Sequence, residues 1–360
     1  MFNLQFFSNL NTTITKVDTL FVIRKVTTKT TTNCMPQQKP KDIKDGAVFS
    51  EKLKEGSPGV GSNQLESKEA RLRIAYSHHK SIKKFYERAD QDYAFWSKGM
   101  NMHFGYWKRG INPFRREQMI EQMNVEVIGK MNICPKGANL ADLGCGFGAT
   151  ARHAVKKNPR VRVAAVTIVS DQIINGEKHN KQQGLEDRIK MVKADYCNTP
   201  FDTEHFDGVY SIESSCYAKG SAKENLIEEM HRLLKKGGRF AVADCFRNHS
   251  RPINGILGRS YRRLCNSWEI KEMGEIHAFA NALRKQGFKD VAIKDISWKV
   301  APSVAHVPWV SLKFLISEML FGKTKLVKER WDNMVASLLC VIIGLSRKNF
   351  TYYLVSGTKA

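Results

Sequence analysis

The chain lacks the marks of a metal-cluster, disulfide-framed or membrane-spanning protein. None of its eight cysteines forms a C-x-x-C pair or stands near histidines at zinc spacing. They read as free thiols in a reducing compartment, and no metal site is expected. No stretch reaches the ~18–20 apolar residues of a membrane span. The closest, Val335 to Leu345, is shorter and ends beside Arg347 and Lys348, so it reads as a buried or interfacial helix. No internal repeat is visible. Acids are short as well: 35 Asp and Glu stand against 58 Lys and Arg, a net charge of +23. That surplus calls for an anionic partner (a nucleic acid, an acidic membrane surface or a phosphate-bearing substrate) unless it is a solvated basic surface.

What is present is ordinary for a globular protein. The 360 residues are 42% apolar and 26% charged, enough for a substantial core. The first 45 residues are rich in Thr and Asn, and Asp18 is the one acid before Asn33. They resemble an organelle transit peptide with few arginines, or else form a plain tail; the apolar core of a secretory signal is missing. The expected location is therefore intracellular, cytoplasmic or peripheral on an internal membrane, with a mitochondrion or plastid as the alternative. Residues 1–67 read as tail and linker, and 68–360 as one domain: an aromatic lid over 68–114, a core over 115–295, an inserted lid over 296–348 and a last strand over 349–360.

Within that domain, strands and helices alternate. Apolar runs at 138–144, 161–168, 188–195, 206–214, 238–244, 288–296 and 350–358 predict strands, with helices between them at 150–157, 170–184, 221–238 and 273–286. Ser221 and Glu224 have capping-box spacing, and Gly237-Gly238 marks the end of that helix. Such an order predicts a sheet covered on both faces. The excursion of about fifty residues before the last strand is long for a compact domain, which favours a lid over the carboxyl ends of the strands.

After the first strand comes Asp142-Leu-Gly144-Cys-Gly146-Phe-Gly148-Ala149, which opens a helix. Glycine is required where the backbone must turn tightly and approach a ligand. The pattern also fits a dinucleotide fingerprint. Against NAD, Asp142 is placed to meet a cationic amino acid group, and the second strand ends in Thr167 rather than an acid.

LADLGCGFGA, VTIVSDQ, VKADYCNTPF, FDGVYSIESSCYA and LLKKGGRFAVAD stand in the order of class I S-adenosylmethionine methyltransferases. The chain resembles in particular the group of sterol and isoprenoid C-methyltransferases and cyclopropane-fatty-acid synthases, over about residues 85–295 and the last strand. This resemblance implies an α/β fold with a seven-stranded Rossmann-like sheet, its last strand antiparallel, and S-adenosylmethionine as cofactor. By position, Asp142, Gly144 and Gly146 would hold the methionine part, Thr167 and Gln172 the ribose, and Asp195 the adenine amino group.

Glu213, in Ile212-Glu213-Ser-Ser-Cys-Tyr217-Ala, ends the fourth strand. A carboxylate there is costly to bury unless paired or used. Methylating an alkene leaves a carbocation that needs a negative charge and then a base, and Glu213 fits both duties. Tyr217 stands where sterol enzymes usually carry histidine, and the G-W-G run of those enzymes is missing. The stretch with Tyr93, Trp96, His103, Phe104 and Tyr106 keeps a similar aromatic density and suits a greasy substrate or a cation. His103 or Tyr217 would serve instead if the acceptor were an amine, phenol or phosphobase. Arg259 and Arg262 belong to a basic cluster over 247–263 that fits a diphosphate or an anionic membrane. No N-P-P-Y-like run follows the fourth strand, so a nucleic-acid acceptor is not expected.

Overall fold

A computed structural model describes residues 79–321 and 327–360. The tail or targeting segment and linker expected over 1–67, and the start of the aromatic lid expected from 68, fall outside the described residues.

Seven strands form one sheet: β1 (Ala138–Leu143), β2 (Val161–Thr167), β3 (Ile189–Lys193), β4 (Phe206–Ile212), β5 (Leu234–Arg247), β6 (Phe288–Asp295) and β7 (Phe350–Lys359). Their order is β3-β2-β1-β4-β5-β7-β6. The first five strands are parallel, and β7 runs antiparallel between β5 and β6. The expected sheet and its reversed last strand are therefore present. Successive residues of β1 serve opposite faces: Leu140 enters one apolar cluster with Val163 and Tyr210, and Ala141 enters the other with Val209 and Val242. The order reverses between β1 and β4, which opens a crevice at their carboxyl ends.

Helix α1 covers residues 79–89, and a short turn leads to α2 (Tyr93–Trp96). Then follow α3 (Arg116–Ile128), α4 (Ala149–Lys157), α5 (Ser170–Gln182), α6 (Glu224–Leu233), α7 (Gly255–Ser267), α8 (Ile276–Lys285), α9 (Ser297–Val304), α10 (Val307–Phe321) and α11 (Lys328–Leu345). Two expectations about α6 fail. Its N-cap is Lys223, in the left-handed region at φ 56°, with no side-chain cap, so the Ser221–Glu224 box does not form. The buried Lys223 ammonium instead donates to the carbonyls of Cys216, Ala218 and Glu272, at 3.1, 2.7 and 2.8 Å, and sets the turn. The helix ends at Leu233 rather than at the glycine pair, because Leu234 already pairs with Phe206 in the sheet. Helices α7 and α9 were not anticipated.

The segment before α3 and the long insertion meet over the carboxyl edge of the sheet. Trp107 N donates to Lys299 O (2.6 Å), and Gly105 N donates to the Ser303 hydroxyl on α9 (2.8 Å). The buried Arg330 of α11 joins Asp92 beside α2 (2.8 Å) to Glu318 on α10 through two bonds of 2.8 Å.

Candidate functional site

Two cavities share a wall at the carboxyl ends of β1 and β4. The first, of about 260 Å³, is lined by Asp142, Gly144, Gly146, Thr167, Gln172 and Asp195. All six residues expected around the cofactor thus face one space. The loop after β1 has no room for side chains: Gly144 sits at φ +93°, and a Cβ there would meet Ser214 Cβ at 2.3 Å. A Cβ on Gly146 would meet Met102 Sδ at 2.5 Å. Asp142 is buried, its Oδ2 has no hydrogen-bond partner, and burial pushes its carboxyl up to about 7. An orphaned carboxyl oxygen beside a bare backbone loop fits the ammonium of an amino acid moiety.

Thr167 and Gln172 act as a relay. The Thr167 hydroxyl donates to Gln172 Oε1 (2.7 Å), and Gln172 Nε2 donates to Asp90 Oδ1 (3.1 Å). Asp90, which sequence reasoning missed, is pushed by burial up to about 8, and its Oδ2 is unpartnered. Asp195 lies beyond the end of β3. Its Oδ1 accepts from Cys197 N (2.8 Å) and its Oδ2 faces His79 Nε2 at 3.2 Å.

The second cavity, of about 410 Å³, is mostly apolar. Tyr93, Trp96 and Phe104 line it, together with α9, α10 and α11. Its size falls within the ~300–1,000 Å³ of small-molecule sites. Tyr86, Met102, His103, Glu213 and Tyr217 line both cavities and form the shared wall. Tyr86 and Tyr217 bond hydroxyl to hydroxyl at 2.9 Å, and the Tyr86 ring stacks on Tyr93 with centroids 6.4 Å apart.

Glu213 follows β4 in the left-handed region, at φ 50°. Non-glycine residues in that region are held there by their surroundings, and they collect at working sites. Glu213 Oε1 accepts from Phe104 N (2.8 Å) and from the Tyr352 hydroxyl on β7 (2.7 Å). Burial pushes the carboxyl up to about 8 against the pull of those two donors. Asp244, within the neighbouring strand β5, is held by Ser215 Oγ, Cys216 N and Cys245 N. Tyr352 lay in no motif, and Asp244, the last residue of the LLKKGGRFAVAD run, was not singled out as a site residue.

Several expected site residues stand elsewhere or are otherwise occupied. His103 lies in the shared wall, but Nδ1 contacts Phe104 O (2.9 Å) and Nε2 contacts Asn124 Oδ1 (3.0 Å). Both nitrogens face acceptor oxygens, to one of which the neutral imidazole donates, and burial pulls its pKa down, so these contacts brace it in the wall. Tyr106 is packed into the core and lines neither cavity. Arg259 and Arg262 are exposed on α7 and also line neither, because α7 turns that face outward.

The fold and the glycine cradle define a class I methyltransferase domain whose cofactor is S-adenosylmethionine. A methyltransferase-domain family model matches residues 141–242, from β1 to the middle of β5. Among curated proteins, the chain is 29% identical to 24-methylenesterol C-methyltransferase 2 of Arabidopsis thaliana over 55% of this chain and 52% of that one. It thus spans about half the length of that relative. It is 28% identical to squalene methyltransferase 1 of Botryococcus braunii, over 76% of this chain and 72% of that one. The solved structure of geranyl diphosphate C-methyltransferase from Streptomyces coelicolor A3(2), with Mg2+, geranyl diphosphate and S-adenosyl-L-homocysteine, superposes with a TM-score of 0.60 at 16% identity, covering 79% of this chain and 98% of that one.

Proposed function

We propose that this enzyme transfers the methyl group of S-adenosylmethionine to a carbon–carbon double bond of a neutral isoprenoid lipid. The observation that carries the reading is the position of Glu213, a buried carboxyl on the wall between the cofactor cradle and an apolar cavity. The cofactor supplies the methyl group. As the new C–C bond forms, the adjacent carbon of the acceptor becomes cationic. Glu213 stabilises that charge and then takes a proton from a neighbouring carbon, leaving a new double bond. The faces of Tyr86, Tyr93 and Tyr217 add cation–π stabilisation, and the apolar lining keeps water from trapping the cation. The names of the sterol and squalene relatives support this chemistry.

A neutral acceptor is favoured over a diphosphate. Arg330 and Arg347 are the guanidinium groups lining the apolar cavity among the described residues. Arg330 is committed to Asp92 and Glu318, and Arg347 to Asp295. The bracing of His103 likewise disfavours an amine or phenol acceptor that needs an imidazole base. Incubation with methyl-labelled cofactor and pools of unsaturated sterol, squalene and geranyl diphosphate tests the assignment. Label is expected in the sterol or hydrocarbon fraction; label in the diphosphate or in an amine would overturn it.

A further inference from the structure

Helix α10 is apolar on every side yet packs on only one. Its inner residues Val307, Val310 and Phe314 line the apolar cavity. On the outer side Trp309 is 56% exposed, Met319 84% and Leu320 68%. A helix that is hydrophobic all round is ordinarily buried, so the outer face calls for a partner. Next to it the loop before α3 holds out Phe114, 85% exposed, and borders one groove with Arg115, Trp309 and Lys313. The Lys313 ammonium lies over the Trp309 ring, 5.1 Å from its centroid. The nearby acids are engaged inward: Glu117 accepts from Ser97 Oγ and Lys98 N, and Glu318 accepts from Arg330. What faces out is therefore aromatic, aliphatic and basic.

We propose that this face of α10, with Phe114 and Arg115, seats on an anionic lipid leaflet. Aromatic rings with basic neighbours suit the headgroup boundary, and the chain's charge of +23 favours anionic lipid. Ser297–Leu320 is long and apolar enough to cross a membrane, although Lys299, Lys313 and Glu318 interrupt it as a sequence run. Crossing would strip the wall from the apolar cavity, since Val300 and Phe314 lie within that stretch and line it. Lying on the leaflet keeps the wall and puts the cavity one helix away from the hydrocarbon. The inference rests on the reading that the acceptor is a lipid.

The test is co-sedimentation of the full chain with phosphatidylcholine vesicles, with and without phosphatidylserine. Stronger binding to the phosphatidylserine vesicles is expected. A Trp309→Ser, Met319→Ser, Leu320→Ser variant should bind at least ~10-fold more weakly, the least that removing three inserted apolar side chains should cost. Its unchanged affinity for S-adenosylmethionine certifies the fold. Arg115→Glu with Lys313→Glu should abolish the preference for phosphatidylserine. Wild-type binding by the triple variant, or no vesicle binding by the parent, overturns the proposal. So does a parent dimer that the triple variant dissociates with no effect on vesicles, since the face would then belong to a second copy. Vesicle binding is read without turnover, so its failure leaves the acceptor assignment standing and is told apart from a failure of that assignment, which the labelling experiment reads.

Discussion

The chemistry assigned to Glu213 rests on one carboxyl group, and so do the measurements that test it. Glu213→Gln keeps the shape but removes the charge and the base, so kcat should fall ~100-fold or more while cofactor affinity is kept. Near-normal kcat on the true acceptor would refute the carbocation role. Because burial raises the Glu213 carboxyl to about 8, the free enzyme holds it largely protonated at neutral pH. If the carboxylate is the working form, kcat/KM should climb with pH and level off above about 8. Removing the Tyr352 hydroxyl, which donates to Glu213 Oε1, withdraws a bond that favours the charged form. Tyr352→Phe should therefore move that limb upward by roughly one unit, and a limb that stays in place would deny Tyr352 a positioning role. Asp142 and Glu213 were legible in the sequence because each sits beside a strand end in a local pattern. Tyr352 and Asp90 were not, since 139 residues separate Tyr352 from Glu213 and 82 separate Asp90 from Gln172. Only the folded sheet and roof bring these pairs together.

At the scale of elements, β1, β2, β4 and β5 were readable because each carries an apolar run, whereas β3 and β6 mix apolar residues with Lys or Asp and lean on their place in the alternating order. The helices of the roof were harder. In α10 the apolar residues fall on all sides, so periodicity does not mark its inner face. The helix α7 lies in a basic stretch whose arginines drew attention to charge rather than to Leu264 and Cys265, the residues it buries. Two substitutions test how elements are joined. Gly144→Ala would force a Cβ onto Ser214 at a left-handed position, joining β1 to the wall after β4. A loss of about 2 kcal/mol or more in denaturant unfolding is expected, with cofactor affinity falling alongside. Wild-type affinity in that variant would deny the close approach. Arg330→Met removes the cation that bridges Asp92 and Glu318 and leaves the buried Asp92 without its partner. The cost should be about 3–5 kcal/mol, with α10 and α11 exchanging their amides faster than the sheet. Equal loss of protection in β1 and β4 would argue that roof and sheet unfold as one unit.

Taken whole, the molecule carries several carboxyls raised on folding: among the described residues, burial raises Asp90 to about 8, Asp142 to about 7 and Glu213 to about 8, with Asp92 at about 6 and Asp244 also raised. In each, burial is the largest cause. Their unfolded values lie near ~4, so the folded protein binds more protons than the unfolded chain between ~4 and those values. The stability they contribute is complete below the unfolded pKa and is lost as pH rises through the folded one. Between pH 7 and 8 the cofactor-free protein should therefore lose Tm. The bound cofactor changes this balance, because an ammonium group beside Asp142 favours its ionised form. Cofactor affinity should then rise up to ~10-fold per pH unit below about 7 and flatten above it, with proton release on binding at pH 6. Calorimetry in two buffers of different ionisation enthalpy reads that proton directly. Asp142→Asn should bind more weakly and show no such pH dependence. If the variant keeps the slope, the proton comes from another group, and Asp142 would not be the anchor of the amino acid moiety. If the parent shows no slope and releases no proton, Asp142 is ionised before the cofactor arrives. The cradle would then be a preformed anion waiting for a cation, and the unpartnered oxygen would be the source of its affinity.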